Sequence, residues 1–87
     1  MEKLIDKVVL IVGATGGIGA AAAKQLHRSG ARVYITSRSA EKLNNLTNDL
    51  GLPEERSFIL DFDKEVTISS AVETILAKES KIDILIN

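Results

Sequence analysis

Apolar side chains follow two rhythms along this chain. After Lys7, the run Val8-Val9-Leu10-Ile11-Val12 is apolar at every position. A strand without polar alternates is covered on both faces, as in a parallel sheet between helix layers. The spacing then changes. Ile18, Ala22 and Leu26 recur at i, i+4 and i+8 and share one helical face, which predicts a helix over 18–29, stopped by Gly30. A second strand is predicted at 32–36, where Val33 and Ile35 are β-branched and Tyr34 is aromatic. Ser39 is placed to cap a helix over 40–50, with Leu43, Leu46 and Leu50 inward, and Gly51-Leu52-Pro53 breaks it. A third strand follows at 57–60. The third helix, over 64–79, is expected to turn Ile68, Val72, Ile75 and Leu76 to the core. The fourth strand is 82–86.

The order is βαβαβαβ, so the fold class is α/β. Short connections between alternating strands and helices imply a parallel sheet with right-handed crossovers. No linker, repeat or low-complexity tract interrupts the chain, so residues 1–87 are expected to form one unit.

Composition narrows the function. Eleven Lys and Arg against twelve Asp and Glu leave a net charge of −1, with no global pull toward nucleic acid or an anionic membrane. There is no cysteine, which excludes disulfides, thiolate metal sites and a cysteine nucleophile, and fits a cytoplasmic setting. The apolar run 8–12 is far short of the roughly 20 residues of a membrane span. Asp61 and Asp63 are too few carboxylates for a metal site, and no metal is expected.

The chemistry concentrates at Gly13-Ala14-Thr15-Gly16-Gly17-Ile18-Gly19, directly after a strand and opening a helix. A helix start presents unpaired backbone N–H groups and the positive end of the dipole to an anion. Glycine lets a diphosphate approach the backbone, Gly19 lets the helix sit close to the strand, and Thr15 offers a hydroxyl. The segment resembles the Thr-Gly-x-x-x-Gly-x-Gly loop of the short-chain dehydrogenase/reductase family, with Gly13, Gly17 and Gly19 as its glycines and Val12 in place of the usual threonine. Gly16 also satisfies the Gly-x-x-Gly-x-x-Gly spacing of the family's extended branch. The resemblance implies a Rossmann-type sheet of order 3-2-1-4 that binds a nicotinamide dinucleotide.

Further landmarks follow in order. A carboxylate at the end of the second strand would bind a ribose 2′-hydroxyl and favour NAD. Here the stretch is Thr36-Ser37-Arg38-Ser39. A hydroxyl and a guanidinium suit a 2′-phosphate instead, so Ser37 and Arg38 are expected to hold it, with NADP(H) favoured over NAD(H). The resemblance implies that Asp61 meets the adenine amino group and Phe62 the ring. Asp61 or Asp63 could equally serve the start of the third helix. Ile82 to Asn87 resembles the strand leading into the family's Asn-Asn-Ala-Gly motif, which places Asn87 near a ribose.

The family's catalytic Ser and Tyr-x-x-x-Lys are not found: the sole tyrosine, Tyr34, lies in a strand with Arg38 four residues on. The sole histidine, His27, reads as a surface or packing residue. The chain therefore reads as the cofactor-binding portion of a carbonyl or alcohol oxidoreductase. A non-catalytic nucleotide-binding or interaction module and a methyltransferase-like domain are the rival readings. An apolar fourth strand left unpaired on one side would favour self-association.

Overall fold

The computed structural model describes residues 4–87. Strand β1 (Val8–Ile11) leads to helix α1 (Gly17–Arg28), β2 (Arg32–Ser37), α2 (Ala40–Leu50), β3 (Ser57–Ile59), α3 (Glu65–Glu79) and β4 (Ile84–Ile86). The strands form one parallel sheet in the order β3-β2-β1-β4. Central β1 sets Val9 opposite Val33 of β2 and Ile84 of β4. The α/β class and the 3-2-1-4 order expected from the sequence are both present.

Because β1 is buried along its whole length, its two faces feed two cores. Val9 and Ile11 join Val33, Ile35, Ala23 and Leu43 beneath α1 and α2. Val8 and Leu10 join Tyr34 and Ile75 beneath α3. Burying an aliphatic side chain of this size is worth about 1.5–3 kcal/mol. The small residues of α1 matter here: Ala23 is fully buried, and alanine lets the helix lie close to the sheet.

Helix ends follow local chemistry. The Ser39 side chain accepts from Lys42 N at 3.3 Å, and Gly51 closes α2 at φ 69°. That left-handed conformation costs glycine little. α3 differs from expectation at its start and ends at Glu79 as expected. No side chain caps it, since Asp63 instead donates its own N–H to Asp61 Oδ1 at 2.9 Å. Its last turn closes on Ser80, a non-glycine residue at φ 68°. The buried residues of α3 are Ala71 and Ile75, whereas Leu76, expected inward, is 43% exposed. Successive helical residues stand about 100° apart, so seating Ile75 on the sheet turns its neighbour outward.

Polar groups fasten α3 to the sheet. Arg32 Nε lies 2.9 Å from both carboxylate oxygens of Glu79, and the Tyr34 hydroxyl donates to Glu79 Oε2 at 2.5 Å. Phe58 stacks on the Tyr34 ring, and the Arg56 guanidinium lies 5.9 Å from its centroid. Just beyond the same end of α3, the Asp83 carboxylate accepts from Val8 N at 2.8 Å and pins the approach to β4 onto β1. Among the described residues, no helix is long and apolar enough to cross a membrane.

Candidate functional site

All four strands are parallel, so their carboxyl ends share one edge of the sheet. From β1 the chain leaves toward β2, while β4 lies on β1's other side and arrives by way of α3 on the opposite face. Such a switch point opens a crevice at the strand ends, where ligands bind in sheets of this kind.

The glycine loop fills that position. Gly13 turns the chain at φ 74°. Gly16 is the residue preceding α1 and offers no side-chain cap, so the first-turn amides of α1 lack a side-chain acceptor. At Gly19 a Cβ would stand 2.7 Å from Gly13 O and 2.9 Å from Ala14 Cα, so helix and loop touch backbone to backbone. At Gly17 a Cβ would meet nothing within 4 Å; it would only stand in the open mouth. Ile11, Val12, Gly13, Gly16, Gly17, Ile18, Gly19, Ile86 and Asn87 line the concavity. Ile18 is 88% exposed, so its amide rather than its side chain is set by the fold.

The loop is stapled to the end of β2. The buried Thr36 hydroxyl donates to Ile11 O at 3.2 Å and accepts from Gly13 N at 3.3 Å, and Ala14 N donates to Thr36 O at 2.9 Å. Thr15 Oγ1 and Ser37 Oγ lie 3.0 Å apart, and Ser39 N donates to the same Ser37 oxygen at 3.1 Å. Ser37 is only 6% exposed. Its hydroxyl is thus turned toward the loop. The Arg38 side chain is 73% exposed, and its Nε lies 3.9 Å from Asp61 Oδ1. An exposed pair at that distance holds the guanidinium weakly.

Asp61 is itself fixed. Its N–H donates to Thr67 Oγ1 at 2.9 Å, and that hydroxyl is within donating reach of Lys64 O at 2.7 Å. Leu60 N donates to Ser37 O at 3.0 Å, which carries the β3–α3 turn up beside β2. Phe62 is 61% exposed and faces a second, apolar hollow, lined with Val12, Ile68, Val72, Leu85 and Asn87 among others. The structure therefore gathers Gly13, Gly16, Gly17, Ile18, Gly19 and Asn87 around one concavity, couples Thr15 to Ser37, and sets Arg38 beside Asp61. Phe62 sits apart, on the α3 side. A groove formed by α1 and α2 side chains, with Lys24, His27 and Arg28, includes none of the residues of the loop or the strand ends.

The sequence reading missed Thr36, Thr67 and Asp83 as organising residues. A polar residue closing an otherwise apolar strand was the available signal for Thr36. For Thr67 and Asp83 the partners lie across a turn or a strand pair, where spacing carries no mark.

A profile of the short chain dehydrogenase family matches residues 7–87. The chain belongs to that family. Among solved members, glucose dehydrogenase of Caenorhabditis elegans in its apo form superposes with a TM-score of 0.85 at 34% identity, covering 98% of this chain and 38% of that one. A metagenomic short-chain oxidoreductase in complex with NADP gives 0.82 at 32% identity, over 94% of this chain and 38% of that one. The 3-ketoacyl-(acyl-carrier-protein) reductase of Brucella melitensis, complexed with NADH, gives 0.78 at 34% identity, over 94% and 33%. The chain spans between 27% and 38% of the length of the curated relatives it matches.

Proposed function

We propose that this short chain dehydrogenase portion binds a nicotinamide dinucleotide across the start of α1. It serves an oxidoreductase that moves hydride between NADP(H) and a carbonyl or alcohol substrate. The observation that carries the reading is the mouth of the glycine loop: uncapped amides, with open space at Gly17 where a Cβ would otherwise stand. Amides at a helix start favour negative charge. Gly13, Gly16, Gly17, Ile18 and Gly19 receive the diphosphate and adjoining ribose through their backbone, and Thr15 adds a hydroxyl. Asp61 meets the adenine amino group, Phe62 offers its backbone to the ring, and Asn87 lies by a ribose. The nicotinamide ring, when bound, supplies or accepts the hydride; these residues orient it.

NADP(H) is favoured over NAD(H) by Arg38. Position 37 carries a hydroxyl, not a carboxylate that would repel a 2′-phosphate. An exposed, weakly paired guanidinium follows it and can form charge-assisted hydrogen bonds to that phosphate. Solved relatives of this fold hold NADP in one case and NADH in another, so discrimination has to come from local residues such as these. With this reading go residues 1–87 as one nucleotide-binding unit, a cytoplasmic location and self-association of the 87-residue chain through the β4 edge.

Calorimetric titration with NADPH and NADH tests the reading. NADPH is expected to bind more tightly, and Arg38→Ala to lower NADPH affinity about tenfold or more, as for a hydrogen bond to a charged group, while leaving NADH binding unchanged. Equal affinity for the two nucleotides overturns the NADP assignment, and binding of neither overturns the site.

A further inference from the structure

We propose that Ser37 is a positioning residue: it acts on a bound dinucleotide only through Thr15, whose hydroxyl makes the outward contact. The proposal rests on the dinucleotide reading of the site.

A serine hydroxyl has one hydrogen and two lone pairs. At Ser37 one lone pair takes the Ser39 N–H at 3.1 Å. The same oxygen faces Thr15 Oγ1 at 3.0 Å. Two hydroxyls in contact share one hydrogen between them, which leaves a single hydrogen to point elsewhere. Ser37 is 6% exposed, whereas Thr15 is half-buried on the loop. A hydrogen left on Ser37 would have little access to solvent or a ligand; one left on Thr15 has both. The arrangement that wastes no donor therefore runs from Ser39 N–H to Ser37, from Ser37 O–H to Thr15, and from Thr15 O–H outward.

Each donor in such a chain polarises the next, so the outer hydroxyl becomes a better donor to an anionic or ribose oxygen. The same bond spans 22 residues of sequence and fastens the loop to the end of β2 beside the Thr36 contacts. Two neighbouring residues thus divide the labour: Ser37 places the loop, and Arg38 carries the charge.

A double-mutant cycle on NADPH affinity separates this from direct contact by Ser37. Thr15→Val and Ser37→Ala are each expected to weaken binding about fivefold to tenfold. The double variant is expected to bind no worse than Thr15→Val alone, because Ser37 acts only through the Thr15 hydroxyl that this substitution has already removed. Thr15→Ser keeps the hydroxyl and should retain binding. Single-variant factors that multiply in the double variant mean that Ser37 touches the nucleotide independently, and overturn the proposal. In the nucleotide-free chain, Ser37→Ala should accelerate amide hydrogen exchange at residues 13–17; unchanged exchange there also overturns it. Failure of the unsubstituted chain to bind NADPH or NADH defeats the dinucleotide reading instead, and exchange alone then decides the role of Ser37.

Discussion

At Gly19, one missing carbon determines how close α1 comes to the loop. A Cβ there would press on backbone atoms, Gly13 O at 2.7 Å and Ala14 Cα at 2.9 Å, neither of which can swing aside as a side chain does. Gly19→Ala is expected to destabilise the fold by about 1–3 kcal/mol, the usual cost of overpacking. Urea denaturation reads this as a lower midpoint at unchanged slope. Gly17 makes the contrast, because an added Cβ meets nothing. Gly17→Ala should leave the urea midpoint within about 1 kcal/mol of the original, the propensity gain of alanine at a helix start being small, yet weaken dinucleotide binding by occupying the mouth. The two substitutions separate a glycine needed for packing from one needed for approach. The motif already assigns Gly19 to packing, and the surroundings of the two glycines agree: backbone atoms crowd Gly19 and open space faces Gly17.

At the scale of elements, the attachment of α3 to β2 depends on protonation. Burial of Glu79 opposes its charge, but hydrogen bonds from Tyr34 and Arg32 outweigh it and hold the carboxyl below its ordinary range. A carboxyl with a lowered folded-state pKa adds stability above its unfolded pKa and loses it as pH falls through the folded value. Tyr34 moves the other way: burial first, then the bond to Glu79, push its phenol up to about 12. A raised phenol adds stability below its unfolded value and loses it as pH climbs from about 10 toward about 12. The chain should therefore lose stability on an acid limb below about pH 4, near the ordinary carboxyl value, and on an alkaline limb above about pH 10. Glu79→Gln should flatten the acid limb, and Tyr34→Phe should remove its share of the alkaline one. Thermal scans across pH check both, and an acid limb unchanged in Glu79→Gln would show that the lowered carboxyl does not contribute. None of this was visible in the spacing, because Tyr34 and Glu79 lie 45 residues apart.

At the scale of the 87-residue chain, the self-association proposed above concerns the outer side of β4. Ile84 and Ile86 pack on the α1–α2 core, while Leu85 is 64% exposed on the other face. With Phe62, Val72 and Ile68 it lines the apolar hollow on the α3 side. In the described residues β4 has a strand partner only in β1. An unpaired apolar edge is a template for another chain. The 87-residue chain is expected to self-associate at micromolar concentration in sedimentation velocity, and Leu85→Lys to shift it toward monomer. A monodisperse monomer of the unsubstituted chain at the same concentration would defeat this expectation.

Local chemistry alone determined which elements form. The uniform apolar run of β1, the Ser39 cap and the Gly51 stop each act within a few residues, and each is where the local pattern put it; the α1 stripe places the helix, but its first residue, Ile18, is 88% exposed, and Ala23 is the buried one. The alternation of strand and helix also determined the parallel sheet, since right-handed crossovers leave few ways to connect it. Strand ends drifted by one or two residues, as at β4, which begins at Ile84 rather than at Ile82. There, the Asp83 side chain takes the Val8 amide, and the regular ladder starts only after it. What only the tertiary structure decided is the facing of side chains and the pairing of polar groups distant in sequence. It turned Leu76 out, took the Ser37 hydroxyl into a bond with Thr15, left Arg38 exposed beside Asp61, and gave Thr36 the stapling of the glycine loop. The physical reason is range: helix and turn preferences are local, whereas a hydrogen bond's partner depends on which strands lie side by side.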